Sequence, residues 1–281
     1  MSARIAVPSK GRLRDRVFDL LRHAGYNLRQ LGTENAALLI EDIEFIEMRP
    51  RDAAAWLRAG RLDAAFISTD TALEQGIEEW PAIDLGFSRS DLVLACRTDA
   101  PYASAADLAG KTVATHLPNW THRWFEEKGI DVNVVSMGGS LEGICARGLA
   151  EAIVDMRETG NSLRRNALHV IEEGPACQAI FAYRPDGETD EVAGLLLRMD
   201  AAQAARSRQY LMMHIPPDRV DDLESIFPGL AAPTLLPLAG RNDLVAVHLV
   251  VKRERLWANL SDLRELGATG IVALPTDAIL E

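Results

Sequence analysis

The chain has 281 residues, 48% of them hydrophobic and 25% charged, with 41 acidic against 30 basic side chains and a net charge of −11. That mix describes a globular protein large enough for two or three compact units, and the acidic surplus argues against a general nucleic-acid partner. No apolar run is long enough to span a bilayer, so no membrane partner is expected.

The first residues, Met1 to Pro8, lack a basic region followed by a long apolar stretch. A cytoplasmic protein without a signal peptide is therefore the expectation. Residues 4–7 predict a first strand, with a turn at Pro8-Ser9-Lys10-Gly11. Leu13, Val17, Leu20, Leu21 and Ala24 then recur at helical spacing, and Gly25 closes that helix. Residues 36–40 and 43–48 predict two strands joined by a tight turn at Glu41-Asp42. Arg49-Pro50-Arg51-Asp52 caps a short helix ended by Gly60. Residues 64–68 predict a buried strand, with Asp70 at the start of the next helix.

The pattern restarts near residue 90. Strands are predicted at 92–96, 112–115, 132–136 and 152–155, with an aromatic-rich helix at about 120–128 and a helix opened by Gly138-Gly139-Ser140. The apolar stretch 177–183 reads as a strand that returns to the first sheet. Strands alternating with helices imply a mainly parallel α/β arrangement. The restart and the return imply two lobes joined by two crossings, with ligands held in the cleft between them. The tail then reads as strand 209–215, helix 218–227, an extended piece 233–238, strand 244–251, helix 254–266 and strand 270–274. That β-α-β-β-α-β order is the ferredoxin-like unit. The expected domains are 1–89 with 175–207 as lobe I, 90–174 as lobe II, and 208–281 as a C-terminal domain.

The most informative stretch is 150–163. It reads as a buried strand ending in Asp155, a polar loop Thr159-Gly160-Asn161-Ser162, and a helix start at Leu163. Such junctions bind phosphate in α/β proteins, and the hydroxyls and N–H groups suit a sugar phosphate. The same residues also serve as ordinary helix-capping punctuation. The loop is not a Walker A, because no Gly-Lys-Ser/Thr follows the glycine.

Further clusters fall at other strand ends. Lys10 and Arg12 flank Gly11, where two cations beside a close-approach glycine suit a polyphosphate; a solvated basic turn is the alternative. Arg49 begins the Pro50 turn, either as a further anion ligand or as part of an Arg–Asp surface pair. Asp70 is a site carboxylate or a plain N-cap. Gly138-Gly139-Ser140 with Glu142 suits hydroxyl recognition or a flexible helix start.

Metal-ligand spacing is absent. Cys96, Cys145 and Cys177 are far apart, odd in number and free of CxxC spacing, as in a reducing compartment. The six histidines form no HExxH pattern, and His116 and His122 flank one loop without the spacing of a helical ligand pair. No protein-only metal site is expected.

Taken in order, these motifs resemble the ATP phosphoribosyltransferase family. The matching pieces are Ala6-Val7-Pro8-Ser9-Lys10-Gly11-Arg12-Leu13, Arg49-Pro50-Arg51-Asp52, Gly139-Ser140-Leu141-Glu142, Gly148 through Asp155, Thr159 through Leu163, and Asn166. The tail adds Tyr210-Leu211-Met212-Met213-His214, Ala232-Pro233-Thr234, Pro237-Leu238 and Leu266-Gly267-Ala268, as in the long form with a regulatory domain. The resemblance implies a two-lobed, periplasmic-binding-protein-like catalytic core with a C-terminal ferredoxin-like, ACT-like domain. It implies transfer of the phosphoribosyl group of 5-phosphoribosyl 1-pyrophosphate to N1 of ATP, releasing pyrophosphate, as the first step of histidine biosynthesis.

Carried onto this chain, the resemblance implies that Asp155 holds ribose hydroxyls and that Thr159, Gly160, Asn161, Ser162 and Leu163 hold the 5-phosphate. It implies Lys10, Gly11, Arg12 and Arg49 on the pyrophosphate or ATP phosphates, Asp70 on the ATP side, and Glu142 near the ribose. Mg²⁺ would arrive with the substrate, near Glu142 or Asp155. His214, Pro233, Thr234 and Gly270 would bind histidine as feedback inhibitor, in a homo-oligomer from dimer to hexamer. The chain departs from the family pattern at Ala65 and Ser68, where glycines are common, at Leu117, where an aromatic is usual, and at Glu158, where a small Ser is common. Glu158 is expected to turn outward, since a carboxylate facing a phosphate would oppose it. The alternative function is a catalytically weak homologue acting as a regulatory or ligand-sensing subunit. A two-lobed solute-binding protein is a third class, disfavoured by the lack of an export signal.

Overall fold

The computed structural model describes residues 2–32, 36–228 and 233–280. Ala232 of the tail motifs therefore lies outside the described residues. The chain divides into two compact units, Met1–Phe18 with Leu28–Ala193, and Asp19–Asn27 with Gly194–Glu281.

The first unit holds two sheets. In chain order its elements begin β1 (Ala3–Pro8), α1 (Gly11–His23), β2 (Ala37–Ile40), β3 (Ile43–Met48), α2 (Pro50–Arg58), β4 (Ala64–Ser68), α3 (Thr69–Gln75) and β5 (Ala82–Asp84). They continue with β6 (Ser90–Arg97), β7 (Thr112–Thr115), α4 (Pro118–Glu127), β8 (Asn133–Ser136), α5 (Leu141–Ala146), β9 (Ala152–Arg157), α6 (Asn161–Arg165), β10 (Leu168–Cys177) and β11 (Ala179–Tyr183). The first sheet runs β2-β3-β1-β4-β11-β5 and the second β10-β6-β9-β7-β8. The chain crosses between them after β5 and returns after β10, which makes two α/β lobes.

Burial on both faces explains why these strands read as apolar runs rather than alternating ones. Along β6, Leu92, Leu94 and Cys96 join a core with Val113, Phe125 and Val154. Val93 and Ala95 of the same strand face Ala114, Leu141, Ile153 and Leu163 instead. In the first lobe Ala6, Ala65, Ile67 and Ala182 pack beneath Ala53, Ala54 and Leu57 of α2. The small residues let helix and sheet approach closely.

Strand direction positions the site. β1 pairs in parallel with both β3 and β4, so Pro8, Met48 and Ser68 end at one edge of the first sheet. β7 pairs in parallel with β8 and β9, so Thr115, Ser136 and the end of β9 share one edge of the second sheet. Those carboxyl edges are where open α/β sheets hold ligands.

The stretch 177–183 is not one strand. Cys177 ends β10, which belongs to the second sheet, and only Ala179–Tyr183 returns to the first, antiparallel to β4. β10 carries two register shifts, at Val170/Glu172 and Glu173/Ala176, which erase the alternation a sequence reading needs.

The division between units falls within α1 and within α7 (Asp190–Arg206), a helix that apolar periodicity does not reveal. The second half of α7 is tied to the second unit. Arg206 binds Asp19 at 2.9 Å, and the carbonyls of Ala201 and Ala205 accept hydrogen bonds from Ile279 N–H and Thr276 Oγ1. The second unit therefore starts before residue 208.

The rest of that unit comprises β12 (Arg208–Ile215), α8 (Leu223–Ile226), β13 (Thr234–Leu238), β14 (Arg241–Lys252), α9 (Arg253–Ala258), α10 (Leu260–Glu265) and β15 (Thr269–Pro275). Its sheet order is β13-β14-β12-β15, all antiparallel, which is the ferredoxin-like topology. Leu211, Met213, Ile215, Val247 and Leu249 pack against Leu223, Leu256 and Leu263 of the helices. Two helices expected to be continuous are broken. Residues 218–227 split into a 3₁₀ turn, Pro217–Arg219, and α8, while 254–266 split at Asn259 into α9 and α10. Asn259 has φ −112 and ψ 19, and its side-chain amide donates to Arg255 O at 2.8 Å, an Asn bonding locally rather than extending a helix.

Candidate active site

The two carboxyl edges bring charged groups together across the lobes. From the first lobe come Lys10 and Arg12 after β1, Arg49 after β3 and Asp70 just after β4. From the second come His116 after β7, Glu142 on α5, Asp155 on β9 and the loop before α6.

Lys10 and Arg49 lie at neighbouring strand ends, since Pro8 is opposite Met48 and Ser9 N–H donates to Met48 O at 3.0 Å. Both are exposed, and among the described residues neither has a carboxylate within ion-pairing reach. Gly11, with φ +78, makes the left-handed turn that starts α1. Arg49 is the N-cap of α2, without a capping side chain, and Pro50 fixes the first helical residue.

Asp70 is not the N-cap of its helix. Ser68 takes that place in a capping box with Thr71, which leaves the Asp70 carboxylate free for another partner. It is nearly buried, and its Oδ2 lies 4.0 Å from His116 Nε2. The other ring nitrogen, Nδ1, lies 3.6 Å from Asp155 Oδ1. One imidazole thus stands between a carboxylate of each lobe.

Asp155 Oδ1 also accepts the Met156 N–H at 2.7 Å. Burial holds the Asp155 carboxyl above the usual carboxylate range; the Met156 N–H and His116 act against that, and the nearby Glu142 adds to it. Glu142 accepts a short hydrogen bond from Ser162 Oγ, which ties α5 to the first turn of α6. Gly160 is the N-cap of α6 with φ +70, a conformation that favours glycine. Asn161 Oδ1 accepts from Arg164, and Asn166 Nδ2 donates to Ser162 O at 3.0 Å, so α6 is secured by its own side chains. Leu163 is buried and anchors the loop in the core, while Thr159 is exposed.

Glu158 does not simply turn away. Its Oε1 lies 2.5 Å from Arg12 Nη2, so the carboxylate reaches the cation of the opposite lobe.

Two residues of this region were missed from sequence. The spacing of His116 excludes only a helical metal-ligand pair; its place after a buried strand and before Pro118 is the signal for a site residue. Glu74 on α3 is 1% exposed and accepts the N–H groups of Asn119 at 3.2 Å and Trp120 at 3.0 Å in the first turn of α4. It follows Asp70 by four residues, on the same helical face. Arg123 of α4 returns a hydrogen bond to Leu73 O.

The cysteines are not candidate nucleophiles. All three are buried and free, and burial pushes Cys145 up to about 11 and Cys177 up to about 12. Among the described residues no three His, Cys, Asp or Glu side chains converge in a way that holds a metal. No described helix is long and apolar enough to cross a membrane.

In the second unit His214 lies on β12 and Gly270 on β15. Gly270 has φ +60, and a Cβ there would lie 3.4 Å from His214 Nδ1. Thr234, just after Pro233, is on the edge strand β13 opposite His248, whereas His214 is opposite Ala246. The single chain therefore joins His214 with Gly270 and leaves Thr234 two strands away, on the same helix-free face of the sheet.

The family models agree with this architecture. Residues 49–201 match the model described as HisG, ATP phosphoribosyltransferase, and residues 205–278 match the HisG C-terminal domain. A protein of Halorubrum lacusprofundi named ATP phosphoribosyltransferase is 34% identical, with 99% of each chain covered. One of Methanococcoides burtonii with the same name is 33% identical at the same coverage. Among solved structures, the ATP phosphoribosyl transferase (HisG:HisZ) complex from Thermotoga maritima contains a chain with a TM-score of 0.61 and 26% identity. The match covers 70% of this chain and 98% of that one. On these similarities over nearly its whole length, the chain belongs to the ATP phosphoribosyltransferase family.

Proposed function

We propose that this chain transfers the 5-phosphoribosyl group of phosphoribosyl pyrophosphate to N1 of ATP, releasing pyrophosphate, in the first step of histidine biosynthesis. The observation that carries the reading is the set of opposed edges: Asp155 and the Gly160 turn in one lobe face Lys10, Arg12, Arg49 and Asp70 in the other. Two polyanionic substrates need both cations for their phosphates and carboxylates for sugar hydroxyls.

Asp155 accepts ribose hydroxyls through the oxygen not engaged by Met156. Thr159 to Leu163 supply hydroxyls and backbone N–H groups to the 5-phosphate. Lys10, Arg12 and Arg49 hold pyrophosphate or the ATP phosphates, and Asp70 faces the ATP side. N1 attack at C1 builds positive charge on the sugar and negative charge on the leaving group, so this chain contributes mainly orientation and fixed charge. Glu142 and Asp155 are hard oxygen donors, and the charge of Glu142 adds to the rise of the Asp155 carboxyl, which a dication would offset. Mg²⁺ carried in by the pyrophosphate fits beside them and would neutralise the leaving charge.

The second unit is read as the histidine-sensing domain, with His214, Pro233, Thr234 and Gly270 as its effector residues. Thr234 and His214 are separated in one chain, which favours a homo-oligomer, from dimer to hexamer, that completes the site. Exposed Leu236, Val250, Val272 and Leu274 give that sheet an apolar face for self-pairing.

The Arg12–Glu158 pair favours a second reading, in which the chain is a weakly catalytic regulatory subunit, because an anion site cation is already engaged. The test is turnover with ATP, phosphoribosyl pyrophosphate, Mg²⁺ and pyrophosphatase, with and without histidine, followed by the absorbance change of the adenine ring. Activity suppressed by histidine supports the whole reading. Donor binding without turnover moves the assignment to the regulatory subunit.

A further inference from the structure

His116 is 29% exposed in its side chain and stands between two carboxylates that are more buried than it is, Asp155 and Asp70. Nδ1 faces Asp155 on β9, and Nε2 faces Asp70 on α3. The imidazole thus turns one nitrogen toward each carboxylate. The charge of Glu142 on α5 also reaches Asp155, while Glu74, on α3 like Asp70, is spent on the N-terminus of α4.

The atom-level pattern is specific. His116 and the Met156 N–H converge on the same oxygen, Asp155 Oδ1. The Met156 N–H holds that oxygen by a hydrogen bond, and the His116 ring stands at ion-pairing distance from the same atom. The turn carrying His116 is itself held, because Thr115 Oγ1 accepts the Leu117 N–H at 3.0 Å and Glu74 caps the helix that follows.

We propose that His116 is a positioning residue for the phosphoribosyl donor: it orients Asp155 for the ribose hydroxyls and links that carboxylate to Asp70 of the opposite lobe. The proposal rests on the transferase reading given above.

The test compares the full-length protein with His116→Ala and His116→Lys, each checked for folding by circular dichroism. Michaelis constants are measured separately for phosphoribosyl pyrophosphate and ATP, and donor affinity is measured by calorimetry with Mg²⁺ present. His116→Ala is expected to weaken donor binding about tenfold, the scale on which a group that orients a binding carboxylate matters. The Michaelis constant for ATP should change by about twofold or less, because the Asp70 contact is the longer one. His116→Lys should recover most of the donor affinity, since its ammonium restores a hydrogen-bond donor between the carboxylates. A merely structural role would raise both Michaelis constants together and would not be rescued by lysine. Unchanged donor affinity in His116→Ala, equal losses for both substrates, or a lysine variant no better than alanine would each overturn the proposal. A wild-type protein that binds no donor would instead overturn the transferase reading, and the proposal with it.

Discussion

The Glu74 carboxylate accepts the Trp120 N–H at 3.0 Å, so a helix of one lobe caps a helix of the other. A second N–H, from Asn119, reaches the other oxygen at 3.2 Å. Buried helix N-termini need such acceptors, and here the partner comes from 46 residues away rather than from a local cap. Glu74→Ala leaves the buried Trp120 N–H and the part-buried Asn119 N–H without this partner and should cost about 2 kcal/mol. Glu74→Gln keeps one acceptor oxygen and should cost roughly half as much. The measurement is urea unfolding, read as a lower midpoint at unchanged slope. An alanine variant as stable as wild type would show that the cap is idle.

Arg12 and Glu158 make a further interlobe contact, and it differs in kind. Their side chains are 81% and 49% exposed, so the pair should contribute only about 0–1 kcal/mol to stability. Its importance is competition, because Glu158 occupies a cation proposed for substrate phosphate. Glu158→Ser should leave the melting temperature nearly unchanged and lower the Michaelis constant of one anionic substrate about threefold. A rise instead would mean that Glu158 itself assists binding.

How far these relationships were legible follows from their range. The strands Ala64–Ser68 and Thr112–Thr115 are bounded in sequence by turn residues and are buried on both faces, so composition alone locates them. The βαββαβ order of the tail follows from its alternation of apolar periods, which the antiparallel sheet reproduces. β5 has three residues, too short for any period, and β10 contains Gly174-Pro175 and two register shifts. Helix α7 is Ala- and Leu-rich on several sides, so it shows no clear apolar stripe. Asp155 and its loop were legible because strand, carboxylate and turn are contiguous. Glu74 and His116 were not, because their partners are distant in sequence and an acidic helix residue or a loop histidine looks solvated until the lobes are assembled.

Asp155 carries a prediction in which activity and stability move in opposite directions. Burial holds its carboxyl above the ordinary value of 3.8 in the folded protein. The folded state therefore binds this proton more tightly than the unfolded one. Its contribution favours folding below that ordinary value and declines as pH rises through the folded value. At neutral pH the ionised group is a destabilising element retained for function. Asp155→Asn should raise the thermal midpoint at pH 7, flatten this part of the pH dependence, and reduce kcat/KM about a hundredfold or more. Calorimetry across pH, alongside turnover, checks both halves. A variant that is less stable at pH 7 would contradict the burial argument, and one with normal turnover would remove Asp155 from the site.

Gly270 offers a test of the regulatory reading that leaves the catalytic lobes untouched. Its φ of +60 is strained for a β-branched residue, and an added Cβ would lie 3.4 Å from His214 Nδ1. Gly270→Val should therefore cost about 1–2 kcal/mol locally and crowd the ring proposed to meet the effector. Because an inhibitor shifts an equilibrium only by its differential affinity for two states, weaker histidine binding must appear as a higher inhibition constant. That constant, measured from turnover against histidine concentration, should rise at least about tenfold, the scale of a lost positioned contact. Inhibition at the wild-type concentration in a folded Gly270→Val protein would place the sensor away from the His214–Gly270 pair.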